Sequence, residues 1–249
     1  MANKIIAIIQ ARMGSKRFPE KMMSLLNGKP LICHVIEKVK QVKIIDEIVL
    51  ATSINEENKI LIIEAMKMGI KVFRGSEDDV LDRYYKCAKE FNADIIIRIT
   101  GDCPLIDTYL IWHAIMLFKE NRVDFVSNIN PPTFPDGMDI EVFSFNILEE
   151  AWGNAKLKSE REHVDPYIIK KSLSINFVCI EDLSFIRLTV DEKEDLIFLN
   201  KLFDILNDYD CNFINIIKII RNNMELLKIN NKYKRDEGYK KCLELEKEK

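Results

Sequence analysis

The sequence predicts an α/β fold, a mainly parallel sheet with helices on both faces. Three observations predict it. Apolar, β-rich runs alternate with longer helical patterns through Phe118, the rhythm that repeated βαβ units leave in a chain. The runs Ile5–Ile9 and, Arg98 apart, Ile95–Ile99 read as continuously apolar, which suits strands covered on both faces. No internal repeat or low-complexity linker divides the chain, so 1–249 reads as one domain, with a core over about 1–207 and a helical tail over 208–249.

The elements follow in order. Strand candidates Lys4–Ile9, Ile45–Ala51, Lys71–Phe73 and Ile95–Thr100 are each followed by a helical pattern: Pro30–Val39, Glu56–Met68, Val80–Phe91 and Tyr109–Phe118. From Val123 the strands shorten to Val123–Ser127, Met138–Phe143, Ile175–Cys179 and Ile186–Val190. Helical stretches Phe145–Lys156 and His163–Lys171 separate them, so a small mixed extension is expected. The turn Pro131–Gly137 holds three prolines and cannot be regular in its middle; it suits a lid or a substrate wall. Amphipathic stretches Leu196–Leu206 and Asn212–Leu227 come next, and the charged segment Lys232–Lys249 reads as a solvated helix or frayed tail.

Composition narrows the function classes. Hydrophobic residues make up 47% and charged residues 31% of 249, a globular balance. With 37 basic and 40 acidic residues the net charge is −3, which gives no footprint for nucleic acid or an anionic membrane. No apolar run is long enough to span a bilayer and no signal peptide is apparent, so a cytoplasmic protein without membrane insertion is expected. The six scattered cysteines fit reduced, independent thiols. Three dispersed histidines make no zinc constellation.

The strongest local signal is Ile8-Ile9-Gln10-Ala11-Arg12-Met13-Gly14-Ser15-Lys16-Arg17-Phe18-Pro19-Glu20-Lys21, directly after the first strand. In open α/β sheets ligands bind beyond the carboxyl ends of strands. This loop carries four basic residues within ten positions, and Gly14 and Ser15 let backbone N–H groups approach an anion. It lacks the order of a P-loop and of a dinucleotide fingerprint, which argues against a P-loop ATPase and a nicotinamide dehydrogenase. Asp102, after the strand Ile95–Thr100, reaches the same sheet edge; alone it suits a turn or helix cap as well as a metal. Asp191 also ends an apolar strand candidate, while Glu194 and Asp195 suit a helix start.

These segments resemble the cytidylyltransferases that make CMP-sialic acid and CMP-Kdo, whose opening runs approximately I-I-x-A-R-x-G-S-x-R-x-P-x-K. The Gln before Ala11-Arg12 is similar to the branch of spore coat polysaccharide biosynthesis F-type proteins. So are Val49–Ser53, Val72–Leu81, Arg98–Asp107, Phe134–Asp139 and Ser159–Val164. The resemblance covers about residues 4–207 and implies a Rossmann-like nucleotide-diphospho-sugar transferase fold of GT-A type. It implies Mg²⁺-dependent transfer of CMP from CTP to a sugar or sugar-acid acceptor for cell-surface polysaccharide, with pyrophosphate released. It also implies a homodimer, for which 143–173 is the expected interface.

By that resemblance Arg12 and Lys21 contact the triphosphate, and Ala11, Gly14 and Ser15 help cradle it; Lys16 stands where the branch often has threonine. Asp102 and Asp191 would hold Mg²⁺, and Ala51, Thr52, Ser53, Arg74, Gly75 and Ser76 would lie near the base and ribose. Arg74 could equally brace the acidic turn Glu77-Asp78-Asp79. The expected acceptor pocket is Asp136, Asp139, Glu141, Arg161, His163 and Arg187, with either arginine suited to a carboxylate or phosphate. His163 also suits a general base or an ordinary helix position. The competing reading is a nucleotide-sugar-dependent glycosyltransferase, which Asp102-Cys103-Pro104 disfavours because it is not a D-x-D metal motif. A third is a nucleotide-binding subunit without chemistry, against which the pair Asp102 and Asp191 argues.

Overall fold

The computed structural model describes residues 3–206 and 211–247. The four predicted parallel strands are present as β1 (Ile5–Gln10), β4 (Glu47–Ser53), β5 (Lys71–Gly75) and β6 (Ile95–Thr100), in sheet order β5-β4-β1-β6. Their crossovers are α1 (Leu31–Gln41), α2 (Lys59–Lys67) and α3 (Val80–Glu90), and α4 (Thr108–Glu120) follows β6. A two-residue ribbon, β2 (Leu25–Leu26) and β3 (Lys29–Pro30), stands apart. The mixed extension continues the sheet: β8 (Glu141–Ser144) runs antiparallel to β6 and to β7 (Phe125–Ser127), and β7 pairs parallel with β9 (Ser174–Asn176).

Both faces of β1 are buried because alternate residues feed two cores. Ile5, Ala7 and Ile9 pack in the core that holds α1, α4, α8 (Lys193–Ile205) and α9 (Phe213–Asn222). Ile6 and Ile8 pack in the other, with α3, α5 (Phe145–Asn154) and α7 (Asp165–Lys171). A charged substitution in β1 therefore has no solvent face to turn to.

Two expectations need correcting and a third refining. Ile186–Val190 is extended but forms no strand; it meets the Pro turn through one bridge, Asp136 to Arg187. A longer ladder is unavailable there because the N–H groups that would extend it are spent in turns, Met138 on the Pro135 carbonyl and Ile186 on the Leu183 carbonyl, and Gly137 lies at φ 100°, with its α-carbon so near Leu188 and Thr189 that an added Cβ would meet Thr189 N at 2.6 Å. The helix expected over His163–Lys171 is two helices, α6 (Lys158–His163) and α7, broken at Val164 with φ 73°. Pro166, in the first turn of α7, has no N–H to continue a helix from α6. Of the C-terminal charged segment, 232–247 is mostly exposed, as expected of a solvated helix, but it is anchored to the fold. Its helix α10 (Glu237–Lys247) buries Cys242, and Glu246 accepts hydrogen bonds from the backbone N–H and hydroxyl of Ser159. The expected core-to-tail boundary at 207–208 lies outside the described residues. Among the described residues no helix is long and apolar enough to cross a membrane.

Candidate active site

The exits of β1 and β6 are pressed together. Gly101 N–H donates to the Gln10 carbonyl at 2.8 Å, and a Cβ on Gly101 would meet Ala11 Cβ at 2.7 Å, so glycine alone allows this approach. Asp102 then fixes the late segment: its carbonyl accepts from Val190 N–H at 2.8 Å and from the Thr189 hydroxyl. Two residues on from Thr189, Asp191 is delivered beside Asp102.

The two carboxylates share one cation. Lys21 Nζ donates to Asp102 Oδ2 at 2.7 Å, to Asp191 Oδ1 at 2.9 Å and to the Val190 carbonyl at 2.8 Å, and the residue is only 6% exposed. Burial opposes the Lys21 charge, but Asp102 and Asp191 outweigh it and the pKa is raised. Asp191 also accepts from Arg17 at 2.9 Å and from Arg187 at 3.0 Å. Burial works against its charge too, yet Lys21, Arg17 and Arg187 hold its carboxyl down to about 2. Arg17 was not assigned a role from sequence; its guanidinium joins the first loop to Asp191, Glu192 and Glu237.

Asp102 and Asp191 open onto a cleft of about 500 Å³. Of the expected acceptor residues, Asp136, Asp139, Glu141, His163 and Arg187 line it. Arg161 does not: it clasps Asp79 with Nε and Nη2 and donates to the Trp152 carbonyl, bracing the start of α3. Arg187 lines the cleft but is consumed, donating to Asp136, Asp191 and the fully buried Asp195. Residues missed from sequence also line it: Arg98, paired with Glu141; Asp165; and Arg235, paired with Asp139.

The expected nucleotide residues sit at the exits of β1, β4 and β5, off the cleft lining. Arg12 pairs with Glu77. Ser15 donates its N–H to the Met13 carbonyl and accepts at Oγ from Phe18 N–H, so the serine shapes a local turn. Ala51 accepts from Ala11 N–H. Thr52 and Ser53 are buried; Ser53 Oγ accepts from Asn58, and Thr52 Oγ1 has no partner among the described residues. A Cβ on Gly14 would meet Glu57 Oε1 at 2.6 Å, and one on Gly75 would meet the Phe73 ring at 2.9 Å. Ser76 caps Asp79 N–H. Arg74 reaches the Ile54 carbonyl and Glu56, not the acidic turn at 77–79.

The cleft holds protons that exposed carboxyls would release. Burial, aided by Asp139, pushes Asp136 up to about 7 against Arg235 and Arg187. Burial likewise pushes Glu141 up to about 8 against Arg98. The folded state therefore binds protons that the unfolded chain has lost above its ordinary carboxyl pKa values near 4. This contribution is fully present below those values and is lost as pH rises through 7 and 8. Asp191 has the opposite sign, but its stabilisation is lost only as pH falls toward 2. A denaturation midpoint series from about pH 6.5 to 8.5 should show stability falling with pH, and a rise across that window would contradict the placement of these acids.

Comparisons with known proteins agree with this architecture. A family model described as cytidylyltransferase matches residues 6–235, beyond the 4–207 expected from the motifs. The chain is 38% identical over 235 residues to an uncharacterized protein of Methanocaldococcus jannaschii, covering 91% of this chain and 94% of that one. It is 34% identical over 211 residues to the spore coat polysaccharide biosynthesis protein SpsF of Bacillus subtilis, covering 81% and 87%. A solved cytidylyltransferase structure from Leptospira borgpetersenii superposes with a TM-score of 0.87 at 33% identity, over 91% of this chain and 97% of that chain. With its parallel sheet, its basic first loop and the paired Asp102 and Asp191, the chain belongs to the cytidylyltransferase family and is a nucleotidyltransferase.

Proposed function

We propose that the chain transfers CMP from CTP to a hydroxyl of a sugar or sugar-acid acceptor used for cell-surface polysaccharide, releasing pyrophosphate. The observation that carries this reading is the convergence of Asp102 and Asp191 on the Lys21 ammonium, at the strand ends where the basic loop opens onto the cleft. Cations there stabilise the charge that grows on departing pyrophosphate. Arg12 and Arg17 extend that positive edge.

The carboxylate pair fits Mg²⁺, because two hard oxygens already share one cation and Mg²⁺ needs only one or two protein carboxylates besides phosphate. When bound, the ion neutralises phosphate charge and orients the α-phosphate. Asp102 and Asp191 would hold the ion, and Lys21, which bonds both, would add a second cation for the phosphates. Asp136, with its carboxyl near 7, is suited to accept the hydroxyl proton as the new O–P bond forms and the bond to pyrophosphate breaks.

Calorimetric titration with CTP, UTP, GTP and ATP in Mg²⁺ tests the nucleotide directly. Metal-dependent preference for CTP by at least about tenfold is expected. Equal binding of all four, or a preference for a nucleotide-sugar over any triphosphate, would remove the reading.

A further inference from the structure

Among the described residues, Glu162, His163 and Cys242 form a group whose donor atoms, a carboxylate oxygen, a ring nitrogen and the thiol sulfur, all lie within 4.8 Å of one another. The first two end α6 and the third sits inside α10, so two helices distant in sequence meet here. Cys242 is buried, and its Sγ lies 3.9 Å from Glu162 Oε2. Donors around a tetrahedral zinc ion stand roughly 3.5 Å apart, given metal–sulfur and metal–nitrogen bonds of about 2.3 and 2.0 Å. The three side chains need to close by little more than about 1 Å to share one ion.

The donor set selects the ion. A thiolate and a carboxylate carry two negative charges, which cancel a dication beside a buried sulfur, and the imidazole adds a neutral ligand. Sulfur and nitrogen donors suit zinc rather than Mg²⁺, which prefers an all-oxygen octahedron. Burial and the Arg98 charge hold His163 below the usual imidazole range, so the ring keeps a lone pair to give. Burial and Glu162 push the Cys242 thiol up, so an arriving ion must displace its proton to solvent. Asp236 and Glu246 add negative field at His163. Against it stands Lys158, whose exposed contact with Glu162 is screened by water.

We infer that Glu162, His163 and Cys242 bind a zinc-class divalent cation that clamps α10 to α6. Glu246, near the end of α10, is bonded to Ser159 at the start of α6, and the ion would add a second tie one turn earlier in α10. The segment that opens α10 lines the cleft through Arg235, Asp236, Glu237 and Tyr239, and Arg235 pairs with Asp139. Fixing α10 thus fixes one wall of the cleft. Neither Asp102 nor Asp191 takes part, and the inference stands apart from the CMP-transfer reading.

The full chain, reduced and free of metal and of any histidine tag, is titrated with Zn²⁺ and separately with Co²⁺, both in excess Mg²⁺. One Zn²⁺ should bind with a Kd near or below about 1 µM and release about one proton. Co²⁺ should give a thiolate-to-metal charge-transfer band that vanishes in Cys242→Ser. Cys242→Ser and His163→Gln should each weaken zinc binding at least about tenfold. Should Cys242→Ser fail to fold, Glu162→Gln, a milder change at a half-buried side chain, carries the same comparison. Saturating Zn²⁺ should slow amide hydrogen exchange in α10 of the native chain. Zinc binding no tighter than about 100 µM, absence of the thiolate band, or binding unchanged in every variant overturns the site. Tight binding that leaves exchange in α10 unaltered overturns the clamp.

Discussion

Replacing Asp102 by Asn should lower turnover with CTP about 10²–10³-fold while leaving the fold nearly as stable, within about 1.5 kcal/mol. The asparagine oxygen can still accept from Lys21, which keeps Asp191 and the Val190 carbonyl as partners. The bond count at this buried ammonium is therefore preserved, and what disappears is one negative charge. A purely structural Asp102 predicts a variant with native turnover. A metal-holding Asp102 also predicts that Mg²⁺ raises the melting temperature of the native protein with CTP, and that this rise vanishes in Asp102→Asn. Native kcat in the variant, measured by pyrophosphate release, would end the assignment of Asp102 to the chemistry.

The sequence carried what depends on local periodicity and on strand-end position. β1, β4, β5 and β6 announce themselves because two-sided burial demands apolar runs. Asp102 was placed correctly because its strand ends just before it. Contacts between distant segments were not legible. Arg235 meets Asp139 across 96 positions, and Arg161 meets Asp79 across 82, and nothing near either arginine names its partner. Two signals were present but outweighed by the apolar pattern around them. Arg98 is a charge inside the run Ile95–Ile99, which only a buried partner such as Glu141 can tolerate. Pro166 lies within the helical pattern His163–Lys171 and marks the break that leaves His163 at the end of α6, lining the cleft.

Arg187→Met should cost about 3–5 kcal/mol, the largest stability effect expected from any single change near the cleft. Arg187 is 5% exposed, and its guanidinium binds Asp136 at 3.0 Å, Asp191 at 3.0 Å and Asp195 at 2.9 Å. Asp195 is fully buried, and among the described residues Arg187 is the one cation paired with it; Asn230 and the N–H groups of Asp191 and Glu192 supply only neutral donors. A loss of that size lowers the melting temperature of a chain this long by roughly 10 °C. Because the cost lies in the stranded carboxylate rather than in lost packing, Arg187→Met combined with Asp195→Asn should recover part of it, at least about 1 kcal/mol beyond additivity. Arg187→Lys should fall between, since one ammonium cannot serve three carboxylates in the geometry of a planar fork. Strict additivity in the double variant would mean that Arg187 stabilises by its methylene packing, and that Asp191 owes its place beside Lys21 to the backbone bond from Val190 to Asp102 alone.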